Sequence, residues 1–365
     1  STQSRNLFIT TLIVMYLHEA FDDLIRNIRL DQTRQGRVQS AHNAVREALA
    51  SIDEVSARMD TTYLQGSYAL HTTVRPVSDE IKYDVDVVLA ADFTNSHGSK
   101  WTPARVLEWL RSHIESIPRY EGKTRLKTCC ICIEYAGDLH LDVVPAHLPG
   151  PADGSIYVPC WGHILGEWKE SNPRGYIRWF EDHKRDSDNL LDLVRLAKYW
   201  RNLRRKTPNS MVLTTLVTQH APEEASSLGE AFAQTLRSIA EWMDSESSLF
   251  SSFAVPNPTL EDEDLARAWD DLDREDFYDD LVAATNQAEK ALECKDEEET
   301  IELWNQAVLL DGQFPKKVRG LTSEAAAMSH QLSSGLASVG IGGKIKGNGD
   351  GSGDHTPSNS GFFGD

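Results

Sequence analysis

The run Tyr83-Asp84-Val85-Asp86-Val87-Val88-Leu89 constrains this chain more than any other segment. Apolar residues alternate with two aspartates, and β-branched side chains dominate, which predicts a strand. Side chains at i and i+2 leave a strand on the same face. Asp84 and Asp86 therefore point the same way, within about 7 Å of each other. Two like charges at that range repel, and burial adds to the cost of each. Either both acids sit on the wet face of an edge strand, or the pair holds a cation. Magnesium takes hard oxygen ligands and commonly combines one or two carboxylates with substrate phosphates.

The flanking sequence favours the cation. Gly66-Ser67 precedes the strand, between Thr62-Tyr63-Leu64 and Tyr68-Ala69-Leu70. A glycine lets backbone approach a phosphate closely, and the N-terminus of a following helix offers free N–H donors. Alone, the pair would read as a turn with a capping serine. Downstream, CCICIEYAGDLHLDVVPAH holds two more alternating runs, Cys130 to Tyr135 and Leu139 to Val144, around the turn Ala136-Gly137-Asp138. Asp142 lies in the second run, again an acid in an apolar strand. Three acids on neighbouring strands beside a Gly-Ser turn form the constellation that two-metal nucleotidyl transfer requires.

These residues resemble the signature of the polymerase-β-like nucleotidyltransferases. The longer strings GSYALHTTVRP, YDVDVVL and LDVVPA are similar to those of the bacterial cGAS/DncV-like nucleotidyltransferases, the CD-NTases, over roughly residues 20 to 310. The resemblance implies an α+β fold: a polymerase-β-like mixed sheet with flanking helices, plus a C-terminal helical bundle. It implies that Asp84, Asp86 and Asp142 are catalytic and hold two Mg2+ ions, with Mn2+ as a substitute, and that Gly66 and Ser67 bind the triphosphate. LVRLAKYWRN is similar to the family helix that carries a triphosphate-binding lysine, here Lys198. NSMVLTTLV resembles the following helix, whose serine, here Ser210, approaches the nucleotide. VPNPTLEDEDLARAW resembles an Asn-Pro segment near the base pocket, with Asn257 at that position.

The implied substrates are NTPs, ATP among them, and the implied product is a cyclic di- or trinucleotide second messenger of CBASS antiphage defence. A template-independent nucleotidyltransferase acting on RNA ends or on a protein acceptor would use the same acids. It would be expected to carry a basic tract or an acceptor domain, and a net charge of −19 counts against both. That charge also counts against general binding to nucleic acid or anionic membrane.

Arg195, Lys198 and Arg201 fall three apart on one helical stripe that could face a triphosphate. Arg204, Arg205 and Lys206 lie beyond it, either as a solvated face or as part of a regulatory nucleic-acid surface of the kind some relatives use. Five cysteines, odd in number and mostly clustered in one strand, predict free thiols in a reducing cytoplasm. Leu7 to Leu17 is apolar but too short to span a bilayer and lacks a signal peptide's basic flank, so a packed helix is expected.

The pattern divides the chain into a nucleotidyltransferase core with N-terminal helices (1–170), a helical domain closing the cleft (171–336) and a flexible Gly/Ser-rich tail (337–365). Within the first of these, helices are expected over 30–52 and 103–117. The tail ends SNSGFFGD, and Phe362 and Phe363 suit a docking peptide. The resemblance implies two partners for it: a HORMA-type adaptor, or a ubiquitin-transfer-like enzyme that would need Asp365 trimmed to expose Gly364.

Overall fold

The computed structural model describes residues 18–78, 82–148, 154–161, 166–204, 207–246, 253–308, 314, 337–339 and 345–347. The chain divides into two compact units, Ser1–Lys316 and Lys317–Asp365. In the second, Ala337–Val339 pairs antiparallel with Ile345–Gly347. The rest of the expected tail, Phe362 and Phe363 included, lies outside the described residues, as do Leu7–Leu17, Arg205 and Lys206.

In the first unit, seven strands among the described residues form one mixed sheet. They are β1 (Met59–Gln65), β2 (Tyr83–Ala91), β3 (Thr124–Leu126), β4 (Ile131–Glu134), β5 (Leu139–His147), β6 (Ile156–Cys160) and β7 (Glu167–Ser171). The order is β1-β2-β5-β4-β3, with β6 joined to the end of β5 and β7 to β6. β2 and β5 run parallel, and every other pair is antiparallel. The expected α+β fold is the one observed.

Alternation decides which side chain goes where. On one face Val85, Val87 and Leu89 of β2 join Leu141 and Val143 of β5 in the main core. The first helices of the chain are α1 (residues 18–28), α2 (Gln32–Ala50), α3 (Asp53–Ser56), α4 (Gly66–Ala69) and α5 (Pro103–Glu115), and α2 and α5 cover that face. α2 contributes Val38, Ala41, Val45 and Leu49, and α5 contributes Leu107, Leu110 and Ile114, at the spacing of three or four that puts them on one stripe. The Asp31 side chain caps the start of α2 by accepting from the Arg34 N–H, and the Thr102 hydroxyl caps α5 by accepting from the Arg105 N–H.

The opposite face is only half covered. There Val88 and Ala90 of β2, Val144 and Ala146 of β5 and Ile156 and Val158 of β6 form a smaller core. This core stops at Val88 and Val144. The next residues on the same face, by the two-residue period, are Asp86 and Asp84 on β2 and Asp142 and His140 on β5. The aspartates thus continue an apolar face to where its cover ends.

The sheet is followed by helices α6 (Pro173–Asp186), α7 (Leu190–Arg204), α8 (Ser210–His220), α9 (Leu228–Glu246), α10 (Asp271–Glu293) and α11 (Glu297–Val308). α7 is locked to α10 by Trp200, which lies edge-on to Phe277 at 5.6 Å. α1 packs Phe21 against Trp304 of α11 at 4.9 Å. Among the described residues no helix is long and apolar enough to cross a membrane.

The expectation of free thiols is corrected at two of the five cysteines. Cys129 and Cys160 form a disulfide across 31 residues, while Cys130, Cys132 and Cys294 are free. The Trp161 N–H donates to Thr128 O (2.5 Å), which lays the exit of β6 against the entrance of β4. No local pattern announces that tertiary approach.

Candidate active site

A cleft of about 450 Å³ opens beside the uncovered end of the sheet. Gly66, Ser67, Asp84, Asp86, Lys198, Ser210 and Asn257 all line it. Of the eight residues to which the resemblance gives a role, Asp142 alone is not in that lining, and it sits directly across the parallel pair from Asp86. The same register sets Asp84 opposite His140.

The three carboxylates differ in environment. Asp84 is half-exposed, whereas Asp142 is buried at 6% exposure. Burial, followed by the charges of Asp142 and Asp84, pushes the Asp86 carboxyl up from 3.8 to about 7. Lys127, in the turn after β3, offsets part of this. Its Nζ donates to Asp142 Oδ2 at 2.7 Å and lies 3.5 Å from Asp84 Oδ1. Burial alone would lower the Lys127 pKa, but its bond to Asp142 and the two carboxylate charges hold the ammonium well above its ordinary value.

The donor set fits a divalent cation. Asp142 Oδ1 is buried with no hydrogen-bond partner among the described residues. Hard carboxylate oxygens from adjacent strands suit magnesium. Among the described residues no three His, Cys, Asp or Glu side chains are already drawn into a metal cage, and Lys127 is the group that bridges Asp84 and Asp142.

The Gly-Ser turn closes the site from β1. Gly66 has φ +68° and begins a single helical turn, Gly66–Ala69. A Cβ there would collide with Asp86 Oδ2, so only glycine lets the turn lie against the acid. The Ser67 hydroxyl pairs with Thr73 Oγ1 at 3.0 Å, and Ser67 O accepts from the Thr72 N–H at 2.9 Å. The segment from 66 to 73 is thus folded back on itself.

α7 grips this segment from the helical side. Lys198 Nζ donates to Thr72 Oγ1 at 2.8 Å, and both Nε and an Nη of Arg195 donate to His71 O, at 3.0 and 2.7 Å. His71 is in the left-handed region at φ 59°, unusual for a residue other than glycine. Burial, with Arg201 and Arg195 adding repulsion, pulls the Lys198 pKa down from 10.5 to about 7. One turn on, Arg201 donates to Pro208 O (2.7 Å) and lies 3.3 Å from Ser210 Oγ. Of the three-residue stripe on α7, Lys198 and Arg201 line the cleft, and Arg195 holds the neighbouring His71 carbonyl.

Two expected groups are engaged differently. Asn257 lines the cleft, but its Nδ2 donates to Glu263 (2.5 Å) and its Oδ1 accepts from the Thr259 N–H (2.9 Å), which makes it the pivot of the turn between Pro256–Asn257 and Leu260–Asp264. Arg204 turns its guanidinium over Trp200 and donates to Gln306 O, so it belongs to the packing of α7 on α11.

A model of the Second Messenger Oligonucleotide or Dinucleotide Synthetase (SMODS) domain matches residues 15–183. The chain is 24% identical to a c-di-GMP synthase of Roseivirga ehrenbergii over 92% of its own length and 94% of the relative's. Along the SMODS match, which takes in the whole sheet and all three carboxylates, the chain is similar to this family. It is also 26% identical to a cyclic AMP-AMP-AMP synthase of Acinetobacter over 87% of this chain and 91% of that one. The Bradyrhizobium diazoefficiens CD-NTase CdnG, solved with GTP, superimposes with a TM-score of 0.66 at 21% identity over 86% of this chain and 98% of its own.

The site residues that carry no signal of their own in the sequence reading are Lys127, Thr72 and Tyr176, whose hydroxyl meets Thr215 Oγ1 at 2.8 Å on the cleft wall. Lys127 follows a three-residue strand with no pattern of its own. Thr72 could have been read as the hydroxyl nearest the Gly-Ser turn, and Tyr176 carries no local signal.

Proposed function

We propose that the cleft joins nucleoside triphosphates by 3′- or 2′-hydroxyl attack on an α-phosphate, and then closes the linear product into a cyclic di- or trinucleotide. The observation that carries this reading is the opposition of Asp86 and Asp142 across β2 and β5, with Gly66 backed onto Asp86. Asp84, Asp86 and Asp142 would hold the magnesium ions, which when bound supply a lowered hydroxyl pKa and a counter-charge for departing pyrophosphate.

The chain's own residues orient the reactants. Gly66 leaves the backbone open to a phosphate, and the Ser67 hydroxyl, next to Thr73, offers a further hydrogen bond. Lys198 of α7 is buried against Thr72 of the same segment and would carry a positive charge once the triphosphate is bound. Arg201 and Ser210 extend this polar wall toward α8. Catalysis is then positioning and charge neutralisation, without a covalent enzyme intermediate.

The reading extends to a cytoplasmic role in antiphage signalling, with ATP among the substrates and a HORMA-type or ubiquitin-transfer-like partner at the tail. It is tested by incubating the full chain with Mg2+ and each pair of the four NTPs, then resolving products by mass spectrometry. Cyclic products bear it out. Extension of an added RNA end or nucleotidylation of a protein, with no cyclic species, transfers the site to the other class of nucleotidyltransferase.

A further inference from the structure

Lys127 places a fixed positive charge inside the carboxylate cluster, and nothing so far gives it a task. Its ammonium touches two of the three carboxylates through Asp142 Oδ2 and Asp84 Oδ1. Its tether is short and held at both ends. The Lys127 N–H donates to Cys130 O (2.9 Å), Leu126 pairs with Ile131, and Cys129 is bonded to Cys160. The side chain is about a quarter exposed, while Asp142 is almost wholly enclosed. The lysine is therefore seated at the cluster, and its own backbone holds it there.

Building on the nucleotidyltransferase reading, we propose that Lys127 makes divalent-cation binding at Asp84, Asp86 and Asp142 conditional on a bound nucleotide. The reason is charge. Three carboxylates set against one ammonium leave two formal negative charges, enough for a single divalent ion and too few for a pair. That first ion would also have to share Asp142 and Asp84 oxygens with a like-charged neighbour at contact range. A nucleoside triphosphate brings its own negative charge beside Asp84 and Asp86, which offsets the ammonium's repulsion of the first ion and supplies the charge that a second ion needs. The lysine thereby keeps metal binding weak until substrate arrives and couples metal loading to it.

The consequence is open to direct measurement with the full chain, using Mn2+ as the probe and following free Mn2+ by electron paramagnetic resonance. Wild type should bind Mn2+ weakly alone and at least tenfold more tightly with a non-hydrolysable ATP or GTP analogue. Lys127→Met should bind Mn2+ about tenfold or more tightly than wild type without nucleotide, the least expected from removing a unit charge beside a divalent ion. Lys127→Arg, which keeps the charge, should retain the wild-type dependence. Unchanged or weaker Mn2+ binding by folded Lys127→Met overturns the proposal. The wild-type titration stands alone if that variant does not fold: equal affinity with and without nucleotide also overturns it. Should wild type bind no Mn2+ even with nucleotide, the nucleotidyltransferase reading itself fails, a different outcome from the failure of Lys127 alone.

Discussion

Asp86 and Asp142 face each other across the parallel pair of β2 and β5, two acids in register at the end of an otherwise apolar sheet face. Their neighbours on that face, Val88 and Val144, are buried.

Without divalent ions, Asp86 should make stability fall with pH. Its pKa is raised from 3.8 to about 7, so between those values the folded chain holds a proton that the unfolded chain has released. Stability is therefore highest near pH 4 as far as this group is concerned, declines as pH rises, and has lost the whole contribution above pH 7, on the order of 4 kcal/mol. Asp86→Asn removes the effect. In EDTA its Tm should exceed that of wild type at pH 8 and match it more closely at pH 5. A Tm at pH 8 equal to or below wild type would contradict the burial and repulsion assigned to this carboxyl.

Lys198 should couple nucleotide binding to proton uptake. Its pKa is lowered to about 7, so near pH 8 much of it is neutral in the folded chain, although the unfolded chain stays charged to 10.5. Its contribution to stability accordingly rises as pH climbs from 7 toward 10.5. A triphosphate supplies the missing counter-charge and pulls the pKa back up. Calorimetric titration with an NTP analogue at pH 8, in buffers of different ionisation enthalpy, should show uptake of up to one proton in wild type and none at this site in Lys198→Met. The same variant should raise KM more than it lowers kcat. An unchanged KM would reduce Lys198 to a prop for Thr72.

Gly66→Ala should damage the site without unfolding the sheet. A left-handed φ costs an alanine ~1–2 kcal/mol, and its Cβ meets Asp86 Oδ2. A modest drop in Tm, with kcat down by about tenfold or more, is expected, because the turn must shift off the acid. Full activity in this variant would show that the Gly-Ser turn does not need to lie against Asp86.

How much of this was legible in the sequence depends on the range over which each feature is encoded. The aspartates were legible because a strand's two-residue period is local, and Asp84, Asp86 and Asp142 each interrupt an apolar alternation. Helices α2 and α5 were legible within a few residues from the spacing of Val38, Val45 and Leu49 and from Pro103. The stripe of Arg195, Lys198 and Arg201 was visible for the same reason, though what it grips was not. His71 and Thr72 lie more than 120 residues away from it. Lys127 and the Cys129–Cys160 bond were hidden because they depend on how β3, β4 and β6 return beside β5. Asn257 shows the opposite limit: a motif placed it at the cleft, but its amide is spent on Glu263 and Thr259.

The measurement that bears most directly on the assignment compares wild type with Asp84→Asn/Asp86→Asn and with Asp142→Asn in one mixture of Mg2+ and the four NTPs, with products read by mass spectrometry. The predicted result is a cyclic di- or trinucleotide from wild type, none from the double variant, and a rate lower by several orders of magnitude from Asp142→Asn, with all three proteins folded. Cyclic product from the double variant would contradict the carboxylate mechanism. A loss below about tenfold in Asp142→Asn, roughly 1.4 kcal/mol in the barrier, would remove Asp142 from contact with the reacting groups.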